Sequence, residues 1–119
     1  MYIKQALGMH GEDLACDYLE KNDYIIIERN FRCKLGEIDI IAKDVLKDEL
    51  VFIEVKTRSN FKYGRPSSSV DYIKKNHILR VSKFYLYNKK IINTYVRYDV
   101  IEVFVENYTF KINHIKQII

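Results

Sequence analysis

Cysteine is scarce in this chain: Cys16 and Cys33 are the only two among 119 residues. Their spacing gives neither a CxxC site nor a disulfide framework, so a stapled secreted scaffold is excluded and the reducing cytoplasm is the expected compartment. Tryptophan is absent, and Tyr and Phe carry all the aromatic content. No apolar run approaches the roughly 18 to 20 residues needed to cross a bilayer, so no membrane role is expected. The segment MYIKQALGMHGEDLA also lacks the apolar core of a signal peptide. Internal repeats and low-complexity tracts are missing. Proline occurs once, at Pro66 beside Gly64, so the strongest punctuation falls in RSNFKYGRPSSS, which reads as a loop.

What is present is the composition of a globular α/β protein. A hydrophobic content of 48% supports a real core, and the length predicts a single domain over residues 1–119. The net charge of +4 fits a polyanionic partner without selecting one.

Periodicity supplies the elements. Leu7, Gly11, Leu14, Ala15, Tyr18 and Leu19 recur at helical spacing and predict a helix from about Ile3 to Lys21. YIIIERNF, GEIDIIA and ELVFIEVKT then read as three strands of a meander, with KDVLKD as the turn between the last two. A second helix is expected from about Val70 to Asn88, capped by Ser67, Ser68 or Ser69, with Val70, Ile73, His77, Val81, Phe84 and Tyr85 on or near one face. TYVRYDVIEVFV and TFKINHI close the chain as two strands joined at Glu106 and Asn107. The predicted order is α-β-β-β-α-β-β, a sheet with a helix on either side.

The chemistry gathers on two of these strands. Period-two alternation puts Glu37, Asp39 and Ile41 on one face of GEIDIIA, and Phe52, Glu54 and Lys56 on one face of VFIEVK. An antiparallel pairing with Ile41 opposite Phe52 sets Asp39 opposite Glu54 and Glu37 opposite Lys56. Facing carboxylates repel unless something positive lies between them. Mg²⁺ or Mn²⁺ suits such hard oxygen donors, and Lys56 beside the ion would neutralise charge on a scissile phosphate or orient the attacking water. Glu12 falls on the helix stripe that faces the sheet, among the small residues Gly8, Ala15 and Cys16, and is the third candidate acid. The alternatives are a cross-strand salt bridge on a solvated face for the strand residues and a favourable helix-dipole position for Glu12.

The motifs GEDLACDYLE, RNFR, GEIDIIA, FIEVKTR, YG and VRYDVIEV, in that order, resemble the YraN-like family of small bacterial proteins over about Gly11 to Val103. That family is assigned to the restriction-endonuclease-like, PD-(D/E)xK, superfamily, distantly related to archaeal Holliday junction resolvases. The resemblance implies a restriction-endonuclease-like α/β fold with a central mixed sheet flanked by helices. It further implies a metal-dependent endonuclease acting on DNA, with branched recombination or repair intermediates among the candidate substrates. Carried over, Asp39 is the metal-binding Asp, Glu54 the second acid, Lys56 the Lys, and Glu12 the helical acid of the resolvase branch. Ile38 replaces the proline of "PD" and Tyr98 stands where Phe is more usual; neither position ligates a metal.

Candidate phosphate contacts are Lys74, Arg58, Arg65 and Arg32, with Arg29, Lys34, Lys62, Lys75, Arg80 and Lys83 as further basic residues nearby. Tyr63 and Tyr72 are weaker candidates for base stacking. His10, His77 and His114 lack ligand spacing and are expected in core or surface roles, and Arg97 with Asp99 is expected to form a structural ion pair. A homodimer is expected only by analogy with resolvases, which cut two strands. The alternative to an enzyme is a non-catalytic nucleic-acid-binding module that retains the fold.

Overall fold

A computed structural model describes residues 11–58, 72–107 and 109–119, with side chains left out from Tyr72 to Lys74. The first turns of the helix expected from Ile3, the loop around Gly64 and Pro66, the cap at Ser67 to Ser69, and Arg65, Lys62, Tyr63 and His10 lie outside the described residues. So do the side chains of Lys74 and Tyr72.

The elements follow in the order α1 (Gly11–Lys21), β1 (Tyr24–Cys33), β2 (Gly36–Asp44), β3 (Glu49–Arg58), α2 (Tyr72–Asn88), β4 (Tyr95–Glu106) and β5 (Thr109–Ile115). The fold is mixed α/β, as the periodicity predicts. One five-stranded sheet runs β1-β2-β3-β4-β5. The first three strands form an antiparallel meander, β3 and β4 are parallel, and β5 returns antiparallel. A parallel neighbour requires a crossover, and the segment containing α2 provides it.

Each sheet face is covered by one helix. Leu14, Ala15, Cys16 and Leu19 of α1 pack with Ile40, Ala42, Val51, Ile53, Ile101 and Val103. On the opposite face, Val81 and Tyr85 of α2 pack with Phe31, Ile38, Ile41, Leu50 and Phe52. Both faces of β3 are therefore buried, which explains its nearly continuous apolar run.

Two details depart from simple alternation. Ile38 joins Ile41 and Phe52 rather than Ile40 and Ala42. The change falls where β2 leaves β3: pairing with β3 ends at Ile40↔Ile53, whereas pairing with β1 keeps one register from Glu28↔Ile41 to Phe31↔Ile38. The second departure concerns α2. Its buried face is Ile78, Val81, Ser82 and Tyr85, leaving His77 and Phe84 exposed. Ser82 sits at the buried centre because its hydroxyl lies 2.8 Å from the Tyr98 hydroxyl and donates to Leu79 O at 2.9 Å.

Two glycines allow close approach. A Cβ at Gly11 would overlap Thr57 Oγ1, so the start of α1 lies directly on β3. Gly36 has a φ of 140° after the tight Lys34–Leu35 turn, and a Cβ there would overlap the His77 ring.

On the α1 side of the sheet, opposite the face that carries Glu54, a buried ionic hub fastens the strands. Arg97 donates to Asp99, to Asp44 at 2.8 Å, to Glu49 at 2.8 Å and to the Tyr24 hydroxyl at 2.6 Å. Asp99 also accepts the Gln117 amide and lies 2.7 Å from His114 Nε2, whose Nδ1 lies 2.9 Å from the Tyr18 hydroxyl. Burial alone would raise the Asp99 and Asp44 carboxyls. The hydrogen bonds from His114, Arg97 and Gln117 to Asp99, and from Arg97 and Lys47 to Asp44, win and hold both below the usual range. The expected Arg97–Asp99 pair is thus part of a network joining α1, β1, β2, β3, β4 and β5.

Removing Arg97 leaves two buried carboxylates uncompensated, so Arg97→Ala is expected to cost about 3–5 kcal/mol. Urea unfolding of the variant beside the parent chain measures this; a loss below about 1 kcal/mol would show that the hub does not hold the sheet together.

Candidate active site

The β2–β3 pairing includes Ile41↔Phe52 and runs no further than Ile40↔Ile53. That is the register expected from sequence, and its continuation would set Asp39 against Glu54. Instead the strands part there, and Asp39 fills the opening. Its Oδ2 accepts the Val55 N–H at 2.8 Å, taking the place of a ladder carbonyl. A buried amide without a partner would cost about 1–3 kcal/mol, so the side chain is bound into the sheet's own hydrogen bonding.

A cavity of about 220 Å³ opens at this point, lined by Glu37, Ile38, Asp39, Ile53, Glu54, His77 and Ile78. It lies beneath α2, whose His77 is held over the β1–β2 turn by the absence of a side chain at Gly36. Lys56 follows Glu54 on the same face of β3, and its Nζ lies 3.1 Å from Glu54 Oε2, both side chains being about four-fifths buried. Glu12 enters from the other layer, where α1 abuts β3. Arg29 of β1 restrains it, lying 3.7 Å from Glu12 and 2.6 Å from Asp13.

Electrostatically these acids form one group. Burial pushes the Asp39 carboxyl up to about 6; the Val55 amide opposes this, and the negative charges of Glu12, Glu54 and Glu37 add to it. Asp39 thus feels both other acids expected at the site from sequence, Glu54 and Glu12, and Glu37 as well. The charged state of Asp39 is costly without a cation. Among the described residues, no group of three or more His, Cys, Asp or Glu side chains is arranged to hold a metal ion by itself. The donor set is nonetheless of one kind: hard carboxylate oxygens from Asp39 and Glu54 at a single cavity. Mg²⁺ and Mn²⁺ fit it, because they accept one or two carboxylates and keep several waters, whereas Zn²⁺ would require a fuller nitrogen or sulfur set.

The basic candidates separate. Arg29 of β1 is engaged by Asp13 and Glu12 and ties β1 to α1. Arg32 pairs with Glu37 at 3.2 Å on an exposed strand end. Arg58 is held at 3.3 Å by Glu102, a fully buried acid of β4. Arg65 and the side chain of Lys74 lie outside the described residues. Sequence reasoning missed His77 at the cavity and Glu102 beside Arg58. The signal for Glu102 was available, since an acid in the apolar run VIEVFV requires a partner.

The folded chain holds the Asp39 proton over a range where the unfolded chain has already released it. Stability therefore falls as pH rises from 3.8 through about 6 and is level above that, as far as this group is concerned. Asp39→Asn is expected to remove this slope and to be more stable than the parent chain on the alkaline side. Urea unfolding on both sides of the window tests this, and an Asn variant no more stable at neutral pH would contradict the burial cost assigned to Asp39.

Comparison with known proteins gives the chain a lineage. The profile described as "Uncharacterised protein family UPF0102" matches residues 11–103. A UPF0102 protein of Clostridium botulinum (strain 657, type Ba4) is 49% identical over 116 residues, covering 93% of each chain. A UPF0102 protein of Caldicellulosiruptor saccharolyticus is 45% identical over 115 residues, covering 95% of this chain and 96% of that one. Among the described residues, no helix is long and apolar enough to cross a membrane.

Proposed function

The chain belongs to the UPF0102 family, the YraN-like proteins that its motifs resemble, and from that premise we propose that it is a metal-dependent endonuclease hydrolysing phosphodiester bonds in DNA. The observation that carries this reading is Asp39: a carboxylate built into the opening between two strands, made costly to charge by burial and by three neighbouring acids, at a cavity shared with Glu54 and beside Lys56. Sheets stabilise themselves with paired charges; a concentrated acid group at an opening is the arrangement of a cation site.

Asp39 and Glu54 would hold Mg²⁺ or Mn²⁺, with Glu12 contributing negative potential from α1. When bound, the ion supplies Lewis acidity toward a phosphoryl oxygen and makes water a better nucleophile near neutral pH. The protein's own contribution is placement. The Val55 amide fixes the Asp39 carboxylate against rotation, and burial of both members of the Glu54–Lys56 pair keeps the ammonium at the cavity's edge. There Lys56 neutralises charge that develops on the phosphate or orients the attacking water. The sheet supports every one of these groups, so the geometry is set before substrate arrives.

A second reading, a nucleic-acid-binding module without cleavage, is favoured by one observation: Glu54 already has Lys56 as a counter-ion. A cleavage assay over branched, single-stranded and duplex DNA with Mg²⁺ and Mn²⁺ separates the two. Asp39→Ala, Glu54→Ala and Lys56→Ala are each expected to lower metal-dependent cleavage by roughly 10²-fold or more while keeping the native circular dichroism spectrum. Full activity in the Asp39 or Glu54 variant overturns the enzyme reading; binding of DNA without cutting on any substrate establishes the second.

A further inference from the structure

Past the acid group, β3 continues as Lys56, Thr57 and Arg58, and alternation returns Arg58 to the face that carries Glu54 and Lys56. The ladder sets Lys56 opposite Glu102 and Arg58 opposite Phe104 on the parallel strand β4. Glu102 thus stands opposite Lys56, one strand over, and meets Arg58 on the diagonal. Its Oε2 accepts from Arg58 Nη2 at 3.3 Å and its Oε1 accepts from Asn113 Nδ2 of β5 at 3.3 Å. Three adjacent strands thus supply one hydrogen-bonded row, Arg58–Glu102–Asn113.

The row is asymmetric. The Glu102 side chain is 1% exposed and that of Arg58 is 30% exposed. The Arg97–Asp99 pair, by contrast, buries both ends. Here the buried acid is saturated by two donors, while the guanidinium keeps an open side. Its Nε is buried without a hydrogen-bond partner among the described residues, so the donors that an outside anion can reach are those on the exposed side of the guanidinium. A buried carboxylate that grips one edge of an arginine removes its rotamer freedom and presents the remaining edge in a fixed direction, the requirement for bidentate contact with a phosphate.

Spacing indicates which phosphate. Residues i and i+2 of a strand stand about 6.6 Å apart, on the order of the separation of successive phosphates along one nucleic-acid strand. Resting on the nuclease reading, in which Lys56 serves the scissile phosphate, we infer that Arg58, positioned by Glu102 and Asn113, seats the neighbouring phosphate of the same strand. Arg58 is then a binding residue, and Glu102 and Asn113 are positioning residues that act through it. The site grips two successive phosphates of one strand and fixes which bond between nucleotides lies over the acids.

Binding of a synthetic four-way DNA junction and of a matching duplex, measured in Ca²⁺ at several salt concentrations, tests this without requiring cleavage. Each phosphate of one strand is replaced in turn by a neutral methylphosphonate. The parent chain is expected to lose affinity at two successive positions. Arg58→Ala is expected to become insensitive at one of the two and to lower the slope of log K against log salt by about 1. Glu102→Gln, which keeps the shape and the Asn113 contact but frees the guanidinium, is expected to weaken the same single position and leave the other unchanged. A structural role alone would alter stability and leave the methylphosphonate map as in the parent chain; that result, in folded Arg58→Ala, overturns the inference. If the map shifts as described but Mg²⁺ and Mn²⁺ support no cutting, the phosphate seat stands and the nuclease reading falls. If neither DNA is bound, both fall.

Discussion

The hydrogen bond from the Val55 amide to Asp39 is the interaction around which the site is arranged. Where β2 and β3 cease to pair, an edge amide would be left buried without an acceptor. A carboxylate takes it, so the opening in the sheet and the placement of the acid are a single event. The same position desolvates Asp39 and exposes it to the fields of Glu12, Glu54 and Glu37, which come from three different elements. The sheet gains an amide partner and carries an acid that is costly to ionise. Local cost of this kind at a cavity is common where binding or chemistry takes place.

The charged residues divide between two parts of the sheet. Around Arg97 the guanidinium is 2% exposed, Asp44 and Asp99 are buried and satisfied by several donors, and only Glu49 reaches toward the surface. That network ties strands together. Along the C-terminal half of β3 the same residue types are arranged differently, with a buried acid behind a basic group whose other side is open. One hub specifies the fold; the other leaves hydrogen-bonding capacity directed outward.

Much of this was legible in the sequence. Element order and the meander followed from periods of two and 3.6 residues, and the Ile41↔Phe52 register followed from matching apolar and charged positions across two strands. The departures have particular causes. Ile38 changes sides just beyond Ile40, where β2 stops pairing with β3, a break that alternation within β2 does not report. The buried face of α2 is turned toward Ser82 because a hydroxyl can be buried when Tyr98 supplies its partner, and a hydrophobic pattern gives no weight to that bond. His77 consequently leaves the predicted apolar face and stands at the cavity.

The sequence by itself determined which residues share a strand face and which acids could meet, because side-chain direction along a strand and pairing register are local rules. Tertiary structure alone decided where β2 and β3 part, that Asp39 completes the ladder there, and that Glu102, some 44 positions from Arg58, becomes its anchor. The reason is physical. Burial and hydrogen-bond satisfaction depend on what the neighbouring strand and the covering helix bring, and those neighbours are distant in the chain.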